Sequence, residues 1–184
     1  MKKASVFLAD GFEDVEGLAV IDILRRAGVS VTTVSIKEEK EIVSSHGIPM
    51  KTDTLYKDMD FSQMDMLVLP GGGKGTENLE NYQPLRELVT EFAAQGKKVA
   101  AICAAPRILA GLGLLKGKKA TCYPSVAEML EGAQLTENPV EVDGNITTSR
   151  GMGTAIDFGL ELTAQLCGEE AAEKVRKSIV YRCS

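Results

Sequence analysis

Cys103 ends an apolar run, Val99-Ala100-Ala101-Ile102, and is followed by Ala104-Ala105-Pro106 and the helix-like Ile108-Leu109-Ala110. A cysteine at such a strand-to-helix junction is presented at the edge of a sheet. It also faces the partial positive end of a helix, which favours a thiolate and lowers the thiol pKa. The junction is analogous to the nucleophile elbow of serine hydrolases, without their G-x-S-x-G pattern. The other reading is a buried core thiol, the commoner fate of an intracellular cysteine. Glu16 is the second candidate. On a helical wheel it shares a face with Ala19, Val20, Ile23 and Ala27, while Asp22, Arg25 and Arg26 lie elsewhere. A carboxyl turned towards a core is costly to ionise and tends to stay protonated. It can then donate a hydrogen bond to a thiolate or to an oxygen on sulfur. The alternative is an acid that satisfies a helix N-terminus, a role that suits Glu13 and Asp14 better.

Gly71-Gly72-Gly73-Lys74-Gly75-Thr76 lets backbone N–H groups approach a ligand closely. It is neither a Walker A loop nor a dinucleotide fingerprint, because Lys74 precedes a glycine and the first strand carries no such loop. An oxyanion site and a plain tight turn are both open readings. His46 is the single histidine and lies far in sequence from these loops, so a Cys–His dyad has little support. Cys122, Cys167 and Cys183 have no C-x-x-C pairing, and one histidine cannot complete an ordinary zinc site. No metal and no cofactor are expected. Cys183, near the C-terminus, is expected to be exposed and oxidisable.

The elements around these residues alternate between strand and helix. Residues 4–9, nearly continuous but for Ser5, and 66–70 are short apolar runs, the mark of buried parallel strands. Val29 to Ile36 is β-branched, and residues 14–27 have helical spacing. Leu85, Leu88, Val89, Phe92 and Ala93 form one apolar helical stripe, with Pro84 suited to its first turn. Later come a short strand at 120–122, a short helix at 126–130 and an Asp-Gly hairpin signal across 141–147. Thr154-x-x-Asp157 predicts a capping box opening a helix to about Leu166, and a charged helix runs from Glu169 to Tyr181. This alternation predicts an α/β fold, a parallel sheet covered on both faces, with no domain boundary. Ligands bind such sheets beyond the carboxyl ends of the strands. Three loops, 10–16, 71–76 and 103–106, should therefore open on one edge.

Apolar residues make up 44% of the 184 and charged ones 26%, an ordinary soluble composition. The net charge of −5 argues against a nucleic-acid or anionic-membrane partner. No apolar run reaches a bilayer-spanning length. Met1-Lys2-Lys3 resembles a signal-peptide start, but the apolar run stops at Asp10, so a strand, a cytoplasmic location and reduced thiols are expected. The mixed-sign run 37–41 reads as a solvated turn.

Four segments match a known family in order and spacing: Gly11-Phe-Glu-Asp-Val-Glu16, Val68-Leu-Pro-Gly-Gly72, Ala100-Ala-Ile-Cys-Ala-Ala-Pro106 and Ser149-Arg-Gly-Met-Gly-Thr-Ala-Ile-Asp-Phe158. Over residues 3–180 the chain resembles the ThiJ/PfpI superfamily, most closely the branch of the human parkinsonism-associated protein and its bacterial relatives. The resemblance implies one domain over residues 1–184, a flavodoxin-like three-layer sandwich with a mostly parallel sheet, and a homodimer. It implies that Cys103 is the nucleophile, Glu16 its protonated partner, and the amides of Gly72 and Ala104 an oxyanion site. It further implies a glutathione-independent glyoxalase or deglycase acting on methylglyoxal-type dicarbonyls or glycated proteins. The alternative is a sensor or stress chaperone without turnover, whose Cys103 oxidises to sulfinic acid. Tyr123 stands where many members place a histidine, which argues against peptidase activity. His46 stands where relatives place an arginine near the second active site of the dimer, and would supply a pH-dependent charge there.

Overall fold

The computed structural model describes residues 1–182, so Cys183 lies outside the described residues. In chain order the strands and α-helices are β1 (Lys3–Leu8), α1 (Asp14–Arg26), β2 (Ser30–Ser35), β3 (Glu41–Val43), β4 (Pro49–Lys51), β5 (Thr54–Leu55), β6 (Met66–Leu69), α2 (Gly73–Asn81), α3 (Gln83–Ala94), β7 (Lys98–Ile102), α4 (Pro106–Gly111), β8 (Lys119–Ala120), β9 (Gln134–Leu135), β10 (Val140–Asp143), β11 (Ile146–Ser149), α5 (Ala155–Cys167) and α6 (Glu169–Ser178). Seven strands form one sheet in the order β10-β11-β7-β6-β1-β2-β5, parallel except for β10. The central order β2-β1-β6-β7-β11 is that of flavodoxin-like folds.

The period of two along each strand divides the core between the two faces. Phe7, Leu67, Leu69, Val99 and Ala101 point to one side, where Leu79 of α2, Leu85 and Val89 of α3 and Ile108 of α4 pack. Val6, Leu8, Val68, Ala100 and Ile102 point to the other, against Val20 and Leu24 of α1 and Phe158 and Leu162 of α5. The helix α6 lies outside α5, with Val175 against Ile23 and Leu160. No helix among the described residues is long and apolar enough to cross a membrane.

Several local expectations hold for their stated reasons. Glu13 caps α1, its carboxylate accepting the Glu16 N–H at 2.8 Å. The chain turns at Gly144-Asn145 between antiparallel β10 and β11, and of the 37–41 run residues 37–40 bend between strands while Glu41 already opens β3. Others are corrected. Residues 71–76 are not one loop, because α2 begins at Gly73. Residues 124–129 form a 3-10 turn rather than an α-helix. The capping box at Thr154 does not form: Thr154 Oγ1 accepts the Gly151 N–H at 3.1 Å and shares a hydrogen bond with Ser149 Oγ, while Asp157 accepts from the Tyr181 hydroxyl. The preceding Ser149 and Gly151 take the Thr154 hydroxyl, and the distant Tyr181 takes Asp157.

Candidate active site

The sheet reverses its winding direction between β1 and β6, and β7 lies next to β6. Ligands bind doubly wound sheets outside the carboxyl ends of the strands at such a point. The turns after β1, β6 and β7 meet there. Glu13 N–H donates to the Gly71 carbonyl at 2.9 Å, and Gly75 N–H to the Gly11 carbonyl at 3.0 Å. A Cβ on Gly71 would collide with Glu16 Oε2 and lie 2.5 Å from Cys103 Cβ. One on Gly72, where φ is +93°, would meet the Gly11 carbonyl and lie 2.6 Å from Glu13 N. The glycines therefore allow three chain segments to converge around one sulfur atom.

Cys103 has φ +66°, an unfavourable left-handed conformation for a residue with a Cβ. Two main-chain hydrogen bonds hold it. Its N–H donates to the Ser149 carbonyl at 3.0 Å, and its carbonyl accepts the Tyr123 N–H at 2.8 Å. The side chain is half-buried. Its sulfur accepts from the backbone amides of Gly72 and Ala104 and is hydrogen-bonded to Glu16. Glu16 is 1% exposed. Its Oε2 accepts the Gly71 N–H at 3.0 Å, and the Met152 backbone amide faces the carboxylate. Gly71 belongs to the candidate glycine loop and Ser149 and Met152 to a family-matching segment, but the sequence does not reveal their contacts with Cys103 and Glu16.

Burial pushes the Glu16 carboxyl up to about 7, and the Glu13 carboxylate adds to the rise, against hydrogen bonds from Cys103, Gly71 and Met152. Burial likewise pushes the Cys103 thiol up to about 12, with the Glu16 charge next in importance, against the Gly72 and Ala104 amides. This corrects the expectation of a thiol lowered by a helix mouth. The helix α4 starts three residues later and has only six residues. The two rises are linked, because each group resists ionising beside a charged partner. Below about 7 both groups hold their protons, and above it the pair holds one proton and one negative charge. Two amides serve the sulfur and two serve the carboxylate, so neither location of the charge lacks donors.

Tyr123 is 49% exposed, and its ring lies 3.4 Å from where a Cβ on Gly151 would be. It flanks the site and makes no hydrogen bond to the sulfur among the described residues. His46 is engaged elsewhere: its Nδ1 is 2.6 Å from Asp14 Oδ2, and Ser45 Oγ also bonds that oxygen. No Cys–His dyad exists among the described residues. Glu13, Asp14 and His46 bring ligand atoms within 4.8 Å of one another, a closeness that the His46–Asp14 bond already explains. Asp14 is lowered to about 2, where hydrogen bonds from Ser44, His46 and Ser45 outweigh desolvation, and His46 is raised by Asp14. The contribution of His46 is complete below its ordinary 6.5 and lost above its raised folded value. That of Asp14 is complete above 3.8 and lost as pH falls towards about 2. The pair is thus strongest between 3.8 and 6.5. In Asp14→Asn, the His46 ring resonance is expected to titrate at a lower pH than in the wild type. An unmoved midpoint would show that the pair does not form in solution.

Cys122 is buried and Cys167 exposed, and neither belongs to the pair. The family model described as the DJ-1/PfpI family matches residues 2–165. The chain is 44% identical to protein DJ-1 homolog B of Arabidopsis thaliana, over 98% of its own length and 42% of that protein's. It thus spans less than half the length of this relative, as it does of the Arabidopsis homolog A, of which it covers 47%. It is 32% identical to the glutathione-independent glyoxalase DJ-1 of Schizosaccharomyces pombe, over 97% of this chain and 98% of that one. The structure titled Toxoplasma gondii DJ-1, oxidized, superposes with a TM-score of 0.95 at 34% identity, covering 100% of both chains.

Proposed function

This chain belongs to the DJ-1/PfpI family, and from that premise we propose that it is a glutathione-independent glyoxalase, with deglycase action on related adducts, that uses Cys103 as nucleophile. The observation that carries this reading is the hydrogen-bonded Cys103–Glu16 pair, half-open to solvent, with the Gly72 and Ala104 amides on the sulfur. The thiolate adds to the aldehyde carbon of methylglyoxal, giving a hemithioacetal. Glu16 then removes the proton from that carbon and returns a proton to the neighbouring one. The bound group becomes a thioester of a 2-hydroxy acid. Water cleaves the thioester, releasing lactate and the thiol, so methylglyoxal plus water equals lactate. The Gly72 and Ala104 amides stabilise negative charge as it develops near the sulfur. Tyr123 flanks the mouth as a hydrogen-bond donor, and His46 supplies a pH-dependent charge near a second site.

We place the protein in the cytoplasm as a homodimer, acting in oxidative and carbonyl stress as a single ThiJ/PfpI-like domain. Val15, Leu18 and Ile48 are exposed apolar residues on α1 and on the 44–48 turn, which is tied to the start of α1 by the Ser45 N–H to Phe12 carbonyl bond, and this supports a self-association face. The second reading is a sensor whose Cys103 oxidises to sulfinic acid, its oxygens held by the neutral Glu16 and the same amides. Incubating the protein with methylglyoxal and no glutathione separates the two. Proton NMR is expected to show lactate formed over many turnovers, and a stoichiometric adduct without lactate would remove the enzyme reading.

A further inference from the structure

We infer that Gly151 and the ring of Tyr123 form the subsite for the group next to the reacting aldehyde, and that this subsite makes the protein prefer methylglyoxal to glyoxal. The inference rests on the glyoxalase reading above and adds the part of the site that reads the substrate's substituent. Gly151 is a buried glycine whose surroundings do not demand one. Its φ of 163° and ψ of −166° are extended backbone, open to any residue. A Cβ there would meet no backbone. The nearest atoms beyond its chain neighbours are Tyr123 Cδ2 at 3.4 Å, Glu16 Oε1 at 3.8 Å and Tyr123 Cε2 at 4.0 Å. Gly71 and Gly72 differ, since a Cβ on either would overlap neighbouring chain. At Gly151 a space the size of one methyl group is left between an aromatic ring edge and the carboxyl that carries the proton.

Both walls are fixed by hydrogen bonds. Tyr123 N–H donates to the Cys103 carbonyl at 2.8 Å, and the Tyr123 carbonyl accepts the Val126 N–H at 3.1 Å. Gly151 N–H donates to Thr154 Oγ1 at 3.1 Å, and its carbonyl accepts the Thr154 N–H at 2.9 Å. The other carboxyl oxygen, Glu16 Oε2, accepts the Gly71 N–H at 3.0 Å. A Cβ on Gly71 would lie 2.4 Å from that oxygen and 2.5 Å from Cys103 Cβ. Glu16 therefore has Cys103 on its Oε2 side and the Gly151 space on its Oε1 side. In the hemithioacetal, the carbon on sulfur loses a proton and its neighbour gains one. A carboxyl that serves both carbons has the second at about 3 Å. The remaining substituent of that carbon then lies within van der Waals reach of the same oxygen. The empty point 3.8 Å from Oε1 is at such a distance. That substituent is methyl in methylglyoxal and hydrogen in glyoxal. Only the methyl fills the space and covers part of the half-exposed Tyr123 ring, burying apolar surface that a hydrogen leaves wet.

The readout is the ratio of kcat/KM for methylglyoxal, followed as lactate, to that for glyoxal, followed as glycolate, both without glutathione. Gly151→Ala puts its own methyl into the space. The ratio is expected to fall at least about tenfold, the discrimination that one methyl-sized group gives in an apolar pocket. Tyr123→Ala removes the ring and keeps the N–H that holds Cys103. Here the ratio should fall roughly fourfold, the worth of burying one methylene. Tyr123→Phe keeps the wall and should keep the ratio. A general loss of turnover cancels in the ratio, so equal losses on both aldehydes in Gly151→Ala overturn the inference. An unchanged ratio in Tyr123→Ala does the same. A Tyr123→Phe ratio as low as that of Tyr123→Ala would assign the effect to the hydroxyl, and also overturns it. Tyr123 is outside the core, so its two variants decide the matter even if Gly151→Ala does not fold. Wild-type protein that forms neither acid removes the glyoxalase reading and the subsite with it. Wild-type turnover with unchanged ratios in the variants removes the subsite alone.

Discussion

Cys103→Ala is expected to bring lactate formation from methylglyoxal down to the buffer rate, a loss of at least about a hundredfold. Where a nucleophile and its proton carrier act as a unit, losing the nucleophile costs nearly as much as losing the whole unit. The remaining Gly72 and Ala104 amides and Glu16 have no covalent intermediate to act upon. Product, rather than disappearance of the aldehyde, has to be measured. Exposed Cys167 and the surface lysines can trap a dicarbonyl stoichiometrically in both proteins. The substitution keeps a Cβ at φ +66°, so it leaves the strain of the turn as it was. Cys103→Ser, which retains a hydroxyl to accept from the two amides, is expected to be nearly as inactive, because an alcohol at this site has no strong base beside it. Lactate formation at the wild-type rate in either variant would move the chemistry away from this sulfur.

Glu16→Gln has the second-largest expected effect. Turnover should fall by about 10²–10⁴, the range for loss of a general acid–base, while a covalent adduct on Cys103 still forms. The variant also separates catalysis from stability. The Glu16 pKa is raised from 4.5 to about 7 in the folded protein, mainly by burial. The folded chain therefore holds this proton more tightly than the unfolded chain does. The favourable contribution of the group is complete below 4.5 and is lost as pH rises through about 7. Relative to Glu16→Gln, the wild type is expected to lose urea resistance across that window. Parallel midpoints for the two proteins from pH 4.5 to 7 would show that Glu16 ionises as freely as it does in the unfolded chain. Removing the carboxylate also takes away the charge that most opposes the thiolate after burial itself. Alkylation of Cys103 in the variant should therefore begin at a lower pH than in the wild type.

Much of this architecture is legible along the chain. The apolar runs at 4–9, 66–69 and 99–102 are strands because two-sided burial demands apolar side chains on both faces. The helical wheel that placed Glu16 inward is answered by its 1% exposure. Cys103 could be singled out because the strand ends and a proline-led helix begins within three residues. The wheel gave no hint of the Asp14–His46 bond, and the Thr154 cap was misjudged. His46 lies 32 residues from Asp14, and Tyr181, which takes Asp157, lies 24 residues from it, while Thr154 turns back to Gly151 and Ser149. The short hairpin of β3 and β4 also went unread, since three-residue strands have too few positions to display a period.

By itself, the order of residues determined the layers, the strand ends and the types of group at the sheet edge, because periodicity and burial are local properties of the chain. Only the tertiary structure decided which atoms share the proton. Glu16 and the Gly71 amide that holds it are 55 residues apart, and the Met152 amide comes from still further along. A pKa depends on the few ångströms around a group, and that neighbourhood exists only once distant turns converge where glycines leave room for them.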